Sequence, residues 1–293
     1  MADTEVFRSA LRGHCNERAF VLSAVGIASD IADEGAEYVL RVDAADAAAA
    51  SAHLRDYERE IRAAPPLPAS PPRVHGAAWV GCLVYAAVLV GVGLAISNGW
   101  WRLDAFEVGE LDAGRVQHGQ WWRAWTALTL HLDAAHLTAN LGAGVWFGYL
   151  AARQLGSGNA WFLIVSGAAL ANLLESELGP ATHRAVGAST AVFTALGLLA
   201  AHSWRTRLRY RQSWARRWAP LVAGAVLLGW FGSAGEGTDV VAHALGFAVG
   251  CVLGAVAATP AIEPRLNRVP QWLGGAAALA ALGLAWAWAL VRG

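Results

Sequence analysis

Seven long apolar segments dominate the chain, and most have about the length that crosses a lipid bilayer. The first, Ala77 to Ser97, runs for about 20 residues without a charged side chain, as a helix that spans the hydrocarbon core does. The others lie at roughly 135–153, 159–178, 188–204, 219–235, 239–258 and 270–291. The pattern predicts an all-α polytopic membrane protein.

The first 63 residues have a different, mixed pattern that is typical of a small soluble α+β domain. A first helix is predicted around Phe7 to Leu11, and strands are predicted at Arg18 to Ala28 and at Glu37 to Val42. A second helix is predicted from Asp43, whose carboxylate would cap it, to Arg62. The core of such a domain is small.

Composition divides the rest of the chain. A proline-rich, extended linker is predicted at 64–76, a core of six spans at 77–258, and a cytoplasmic linker with one more membrane helix at 259–293.

The formal net charge is zero, so charge indicates no nucleic-acid partner. The three cysteines, Cys15, Cys82 and Cys251, lack metal-ligand spacing and are interpreted as buried free thiols.

Two polar segments indicate how the chain lies in the membrane. The segment from Asn98 to Leu130 is rich in tryptophan, which concentrates at membrane interfaces, so we expect it to be half-embedded rather than a free loop. The segment from Ser203 to Trp218 holds six arginines, and the positive-inside rule places it in the cytoplasm. Counting back through the spans places the N-terminal domain in the cytoplasm and the start of the helix at Ser189 on the outer side.

Ser189 stands among small residues at the start of an apolar helix. A serine there more often bonds to a carbonyl or a neighbouring helix than it catalyses a reaction. The helix is predicted to end near Trp204 and is then shorter than the bilayer core, which predicts a water-accessible pocket with Ser189 at its floor. His243 lies one turn into a helix in which Gly246 and Gly250 allow close helix approach, so His243 could take the proton of Ser189.

His136 and Asn140 are four residues apart and share one face of the second span. Donors at that position could stabilise an oxyanion. The alternatives for His131 and His136 are a metal site, which their spacing disfavours, or a packed polar pair. Asp239, one turn before His243, could serve as a triad acid, but a carboxylate at a helix start is the preferred interpretation.

Four motifs, in order over about 130 residues, resemble those of the rhomboid intramembrane serine proteases. They are the pair Trp122-Arg123, the set His131, His136 and Asn140, the segment Gly187-Ala188-Ser189, and Ala242-His243 with Gly246 and Gly250. Leu155-Gly156-Ser157-Gly158 also resembles a turn common in that family. The extra C-terminal span suggests the bacterial, six-plus-one type.

The resemblance implies a rhomboid-like six-helix bundle with a seventh helix, which cleaves membrane-protein substrates in or beside their transmembrane segments through an acyl-enzyme. It implies Ser189 as nucleophile, His243 as base, and His136, Asn140 and the Ser189 N–H as the oxyanion site, without a metal or another cofactor. Two positions depart from the family pattern. Thr190 replaces a glycine and would crowd the backbone, and Phe193 replaces a tyrosine that packs on the histidine.

Two other functions compete with proteolysis. A catalytically weak or inactive relative would bind membrane-protein clients without cutting them, and Thr190 is the feature that favours it. A small-solute transporter would need matching broken helices in two halves, and no convincing repeat is present. The substrate, the cleavage site, the oligomeric state and the role of the N-terminal domain are not predicted.

Overall fold

The structure is a computed structural model that describes residues 3–63, 74–100, 104–209, 213–231 and 239–292. The chain divides into two compact units, Met1–Ala69 and Ser70–Gly293. Most of the predicted linker at 64–76 lies outside the described residues, which resume at residue 74.

The N-terminal unit is a small α+β fold, as predicted. Its elements are β1 (Thr4–Ser9), α1 (Arg12–Ala24), β2 (Ser29–Asp33), β3 (Tyr38–Val42) and α2 (Ala47–Ala63). The strands form an antiparallel sheet with β3 in the centre. Leu22 of α1, Leu40 of β3 and Leu54 of α2 are buried together, so one core joins both helices to the sheet.

Three of the predicted elements in this unit are wrong in type or position. Phe7 lies on β1 and not on a helix, because residues 4–9 pair with the central strand. Residues 12–24 form a helix where a strand was predicted from Arg18, because Cys15, Ala19 and Leu22 recur at helical spacing. Helix α2 begins at Ala47 rather than at Asp43.

The second unit has a long helix at each predicted span, joined by short elements. A segment of short elements follows α3 (Trp79–Ser97) and comprises α4 (Ala105–Gly109), β4 (Leu111–Asp112), α5 (Ala113–Gln117), α6 (Arg123–Thr126) and a 3-10 helix (Ala127–Thr129). The remaining elements are α7 (Ala134–Leu155), α8 (Ser157–Leu178), β5 (Arg184–Ala185), α9 (Ser189–Arg209), α10 (Trp214–Phe231), α11 (Val240–Ala257), α12 (Glu263–Leu266) and α13 (Gln271–Arg292).

Within the described residues, four helices are long and apolar enough to cross a membrane: α3, α8, α11 and α13. The other three predicted spans, α7, α9 and α10, are helices that carry more polar or charged side chains. The last part of the span predicted at 219–235, residues 232–235, lies outside the described residues.

Helix α9 is the central helix of this unit and contacts α7, α8, α10 and α11. Nearly every residue from 190 to 202 is buried. The predicted end near Trp204 is wrong, because the helix continues to Arg209. Arginine is a good helix former, so the helix extends beyond its apolar part and its 21 residues rise about 31 Å.

Glycines bring α9 and α11 into backbone contact. A Cβ atom at Gly246 would lie 2.7 Å from the carbonyl oxygen of Thr190, and one at Gly250 would overlap the carbonyl oxygen of Thr194. Carbon and oxygen atoms ordinarily approach to about 3.3 Å. The predicted close approach of these two helices is therefore confirmed.

The tryptophan-rich segment before α7 is packed and not a free loop, as expected. Arg123 is fully buried. Its Nη1 donates to the carbonyl oxygen of Glu110 at 2.9 Å, its Nη2 to that of Glu107 at 2.8 Å, and its Nε to Oε1 of Gln120 at 2.7 Å. The guanidinium group of Arg123 thus holds three residues of this segment in place, Glu107, Glu110 and Gln120. Residues 101–103 of this segment lie outside the described residues.

The C-terminal helix α13 packs on the core of the same unit. A Cβ atom at Gly274 would lie 2.7 Å from the carbonyl carbon of Gly158 at the start of α8. Trp286 donates from Nε1 to Oγ1 of Thr129 at 3.0 Å. The seventh helix therefore also supports the tryptophan-rich segment.

Gly250→Ala should destabilise the membrane unit by about 1–3 kcal/mol, because the new methyl group would push α9 and α11 apart. The matched control is Gly91→Ala on α3, where a Cβ atom would meet nothing within 4 Å and stability should hold or rise slightly. Thermal unfolding in detergent micelles measures both. Equal melting temperatures would contradict the role given to the helix contact.

Arg123→Lys should also lower the melting temperature, by an amount equivalent to about 2 kcal/mol. An ammonium group cannot reach both carbonyl oxygens as the planar guanidinium does, so a buried acceptor loses its partner. Arg265→Lys, at an exposed position, is the control and should change little. An equal fall in melting temperature in both variants would show that the hydrogen bonds of the buried Arg123 guanidinium do not cause the loss of stability.

Candidate active site

Ser189 is the first residue of α9, and the segment that leads to it is held on both sides. Gly187 and Ala188 are buried. Gly187 donates its N–H to the carbonyl oxygen of Ala127 at 3.0 Å, and β5 pairs with β4, with Leu111 opposite Ala185. The tryptophan-rich segment therefore fixes the position of the residues just before Ser189.

His136 and Asn140 lie beside this segment, close to Gly187. A Cβ atom at Gly187 would be 2.8 Å from Cε1 and from Nε2 of His136, and 3.7 Å from Nδ2 of Asn140. Gly187 also has a φ of 132°, which other residues rarely adopt. The structure thus brings the two predicted oxyanion donors to the residue that lies two positions before Ser189.

His131, which lies just before the first residue of α7, packs on the same segment. The N–H of Ala188 donates to Nε2 of His131 at 3.3 Å. Burial, and then the nearby His136, lower the pKa of His131 to about 4, so the ring is neutral near pH 7 and accepts that bond. The rings of His131 and His136 lie 5.1 Å apart, edge to face. His131 therefore helps to position the segment before Ser189, and its ring packs against that of His136.

His243 lies on α11, opposite the first turns of α9. It is 6% exposed, and its ring centroid is 4.4 Å from that of Phe193. Phe193 therefore packs on the histidine at the position where the family pattern has a tyrosine. Oδ1 of Asp239 accepts from the N–H of Ala242 at 3.0 Å, so Asp239 caps this helix as preferred from the sequence. Since Phe193 is one turn after Ser189, His243 lies next to the start of α9.

Thr190, the residue that departs from the family pattern, is buried against α11. Its methyl carbon would be 3.3 Å from a Cβ atom at Gly246, and its carbonyl oxygen accepts from Oγ1 of Thr194 at 2.8 Å. The missing side chain at Gly246 therefore leaves room for the threonine methyl group on the α11 side.

A small cavity of about 20 Å³ lies at the start of α9. Gly187, Ser189, Thr190, Asn172 and Asp239 are among the residues that line it. A volume of this size holds about one water molecule. A pocket bounded by Ser189 is therefore present. Residues 232–238, which precede Asp239 in the sequence, lie outside the described part of the chain.

Sequence reasoning missed a cluster of ionisable side chains beside this cavity. Nε2 of His183 is 3.0 Å from Oδ2 of Asp239 and 3.5 Å from Oε1 of Glu175. Glu175 is 2% exposed. The signal that could have found it is a carboxylate within an apolar span, which is costly in a membrane and indicates a function.

Comparison with known proteins agrees with this arrangement. Residues 118–260 match the family model of the rhomboid domain, and the match includes Trp122, His136, Ser189 and His243. A comparison with curated proteins returned no match. The matched region contains the glycine-packed helix pair and every residue of the candidate site. Residues 118–260 therefore form a rhomboid domain, the domain of a family of intramembrane proteases, and the chain is an integral membrane protein.

Proposed function

We propose that the protein is an intramembrane serine endopeptidase that uses Ser189 and His243 as a catalytic dyad. One observation carries the proposal. The first turns of α7 and of α11 both lie against the segment from Gly187 to Thr190, in which α9 begins. His136 and Asn140 of α7 lie on one side of the segment, at Gly187. The glycine face of α11 lies on the other side, at Thr190, one turn from His243.

In the proposed acylation step, Nε2 or Nδ1 of His243 takes the proton of the Ser189 hydroxyl while Oγ attacks the carbonyl carbon of the scissile peptide bond. The tetrahedral intermediate collapses, the carbon–nitrogen bond breaks, and His243 returns the proton to the leaving amine. Phe193 holds the imidazole by ring packing in place of a hydroxyl contact.

The developing oxyanion is stabilised by donors on the α7 side of Ser189. The amide nitrogen of Asn140 uses one hydrogen for the carbonyl oxygen of His136, at 3.1 Å, which leaves its second hydrogen for the substrate. His136 and the N–H of Ser189 complete the proposed oxyanion site. A donor of this kind contributes about 3 kcal/mol to transition-state stabilisation.

Deacylation needs one water molecule next to the acyl-serine. The cavity that Ser189 lines has room for about one. His243 takes a proton from this water as the water oxygen attacks the acyl carbon. The bond between that carbon and Oγ of Ser189 then breaks, His243 returns the proton to Oγ, and the peptide acid leaves. No cofactor takes part in this reaction.

A dyad, and not a triad, is supported by the neighbours of Asp239. Its Oδ1 caps α11 through the N–H of Ala242, and its Oδ2 lies 3.0 Å from Nε2 of His183. One carboxylate oxygen therefore caps the helix, and the other lies next to His183. The aspartate contributes to the position of His243 by starting its helix at Val240.

The proposed site opens on the outer side of the membrane. Ser189 is at the first residue of α9, and Arg205, Arg207 and Arg209 lie in its last turns. With Arg216 and Arg217 at the start of α10, these arginines mark the cytoplasmic side. We further propose a bacterial inner membrane, a cytoplasmic N-terminal unit, and substrates that are single-span or multi-span membrane proteins.

Ser189→Ala and His243→Ala should each reduce cleavage of a single-span reporter in liposomes by about 10⁴-fold or more, because each removes one half of the dyad. Ser166→Ala on α8 and His118→Ala at an exposed position are the matched controls and should keep most of the activity. Reporter fragments are quantified by gel electrophoresis and mass spectrometry.

The same experiment separates the protease from a client-binding protein. Reporter captured equally by wild type and Ser189→Ala, with no fragment from either, would contradict the proposal and favour the binding function. Reporter cleavage at the wild-type level by His243→Ala would show that a group other than His243 acts as the base for Ser189.

Gly187→Ala should lower kcat by about 10- to 100-fold while the protein remains folded, because a methyl group would displace the His136 ring and strain the backbone. The matched control, Gly142→Ala on α7, adds a methyl group that meets nothing within 4 Å. Wild-type kcat in Gly187→Ala would show that the position of His136 does not matter for the reaction.

A further inference from the structure

Three ionisable side chains from distant parts of the chain meet beside the proposed active site. Glu175 lies near the end of α8, His183 lies in the turn before β5, and Asp239 lies at the start of α11. We propose that they bind one divalent transition-metal ion, with Zn²⁺ as the representative ion.

The distances between the ligand atoms fit such an ion. Nε2 of His183 is 3.0 Å from Oδ2 of Asp239 and 3.5 Å from Oε1 of Glu175, and the three ligand atoms lie within 4.8 Å of one another. In a tetrahedral zinc site with bonds of about 2.0 Å, neighbouring ligand atoms are about 3.3 Å apart. The two measured distances lie on either side of that value.

The hydrogen bonding of the cluster is incomplete without a further group. Glu175 is 2% exposed, and neither of its carboxylate oxygens completes a hydrogen bond of normal geometry within the described part of the chain. The same holds for Nε2 of His183 and Oδ2 of Asp239. A buried carboxylate is costly unless it is paired or coordinates a metal. One ligand atom from each of the three residues lies within 4.8 Å of the other two.

The competing interpretation is a protonated His183 that bridges the two carboxylates. Nε2 carries one hydrogen, so it can satisfy at most one oxygen well. The buried Glu175 would keep at least one oxygen without a donor. A dication reaches both carboxylates and the imidazole at once, which is why the metal fits better.

The cluster is open enough for an ion to enter. The side chains of His183 and Asp239 are 25% and 21% exposed, so an ion could approach from their side and keep a water molecule as its fourth ligand. Bound there, it would join α8 to the turn that leads to Ser189 and to the helix of His243. The ion takes no part in peptide hydrolysis, so the site does not depend on the proposed activity.

The test is Zn²⁺ binding to the untagged, full-length protein in detergent, measured by competition with a chromophoric chelator. We expect one equivalent per chain, reversed by EDTA, with a rise in melting temperature. His183→Ala and Glu175→Gln should weaken binding by at least about tenfold. His118→Ala removes an exposed histidine of the same unit and should bind as wild type does.

A second variant and a spectrum guard against misfolding of the first two. Asp239→Asn keeps an oxygen for the helix cap but loses the carboxylate, and it should also bind at least about tenfold more weakly. Co²⁺ in wild type should give the visible absorption of a tetrahedral site, absent in this variant. Binding of less than one equivalent by wild type, or equal binding by wild type, His183→Ala and Asp239→Asn, would overturn the proposal.

Discussion

The backbone contact between α9 and α11 is the constraint on which the rest of the site depends. Glycines on α11 leave no side chain between the helices, so Gly246 meets the carbonyl oxygen of Thr190 directly. Helices separated by ordinary side chains lie about 8–10 Å apart, which is too far for a short serine to reach a histidine on the neighbouring helix. The glycine face therefore brings the helix of His243 to the helix of Ser189.

The other side of Ser189 is held by a different kind of structure. The segment before it is irregular backbone, which membrane proteins tolerate only where protein covers it or water reaches it. Here β4, Ala127 and His131 take up its hydrogen bonds, and Arg123 in turn fixes the loop that supplies β4. Arg123 thus supports the segment before Ser189 indirectly, by holding this loop in place.

Much of this arrangement could be predicted from local patterns. Apolar length located the seven helices, and the spacing of Gly246 and Gly250 predicted the close contact. Prediction failed where partners decide the outcome. Residues 18–28 are rich in Phe, Val, Leu and Ile, which favoured a strand, but residues 12–24 form a helix that packs on the sheet through Ala19 and Leu22. Glu175 is a carboxylate within an apolar span, but its partners could not be predicted, because only the folded chain brings it and His183 to Asp239.

The central claim is that His243 activates Ser189, and its most direct measurement is the rate at which a fluorophosphonate labels the folded protein in detergent, with the modified residue mapped by mass spectrometry. The account predicts a single label on Ser189 in wild type and a rate lower by orders of magnitude in His243→Ala. Absence of labelling at Ser189, or an equal rate in both proteins, would contradict it.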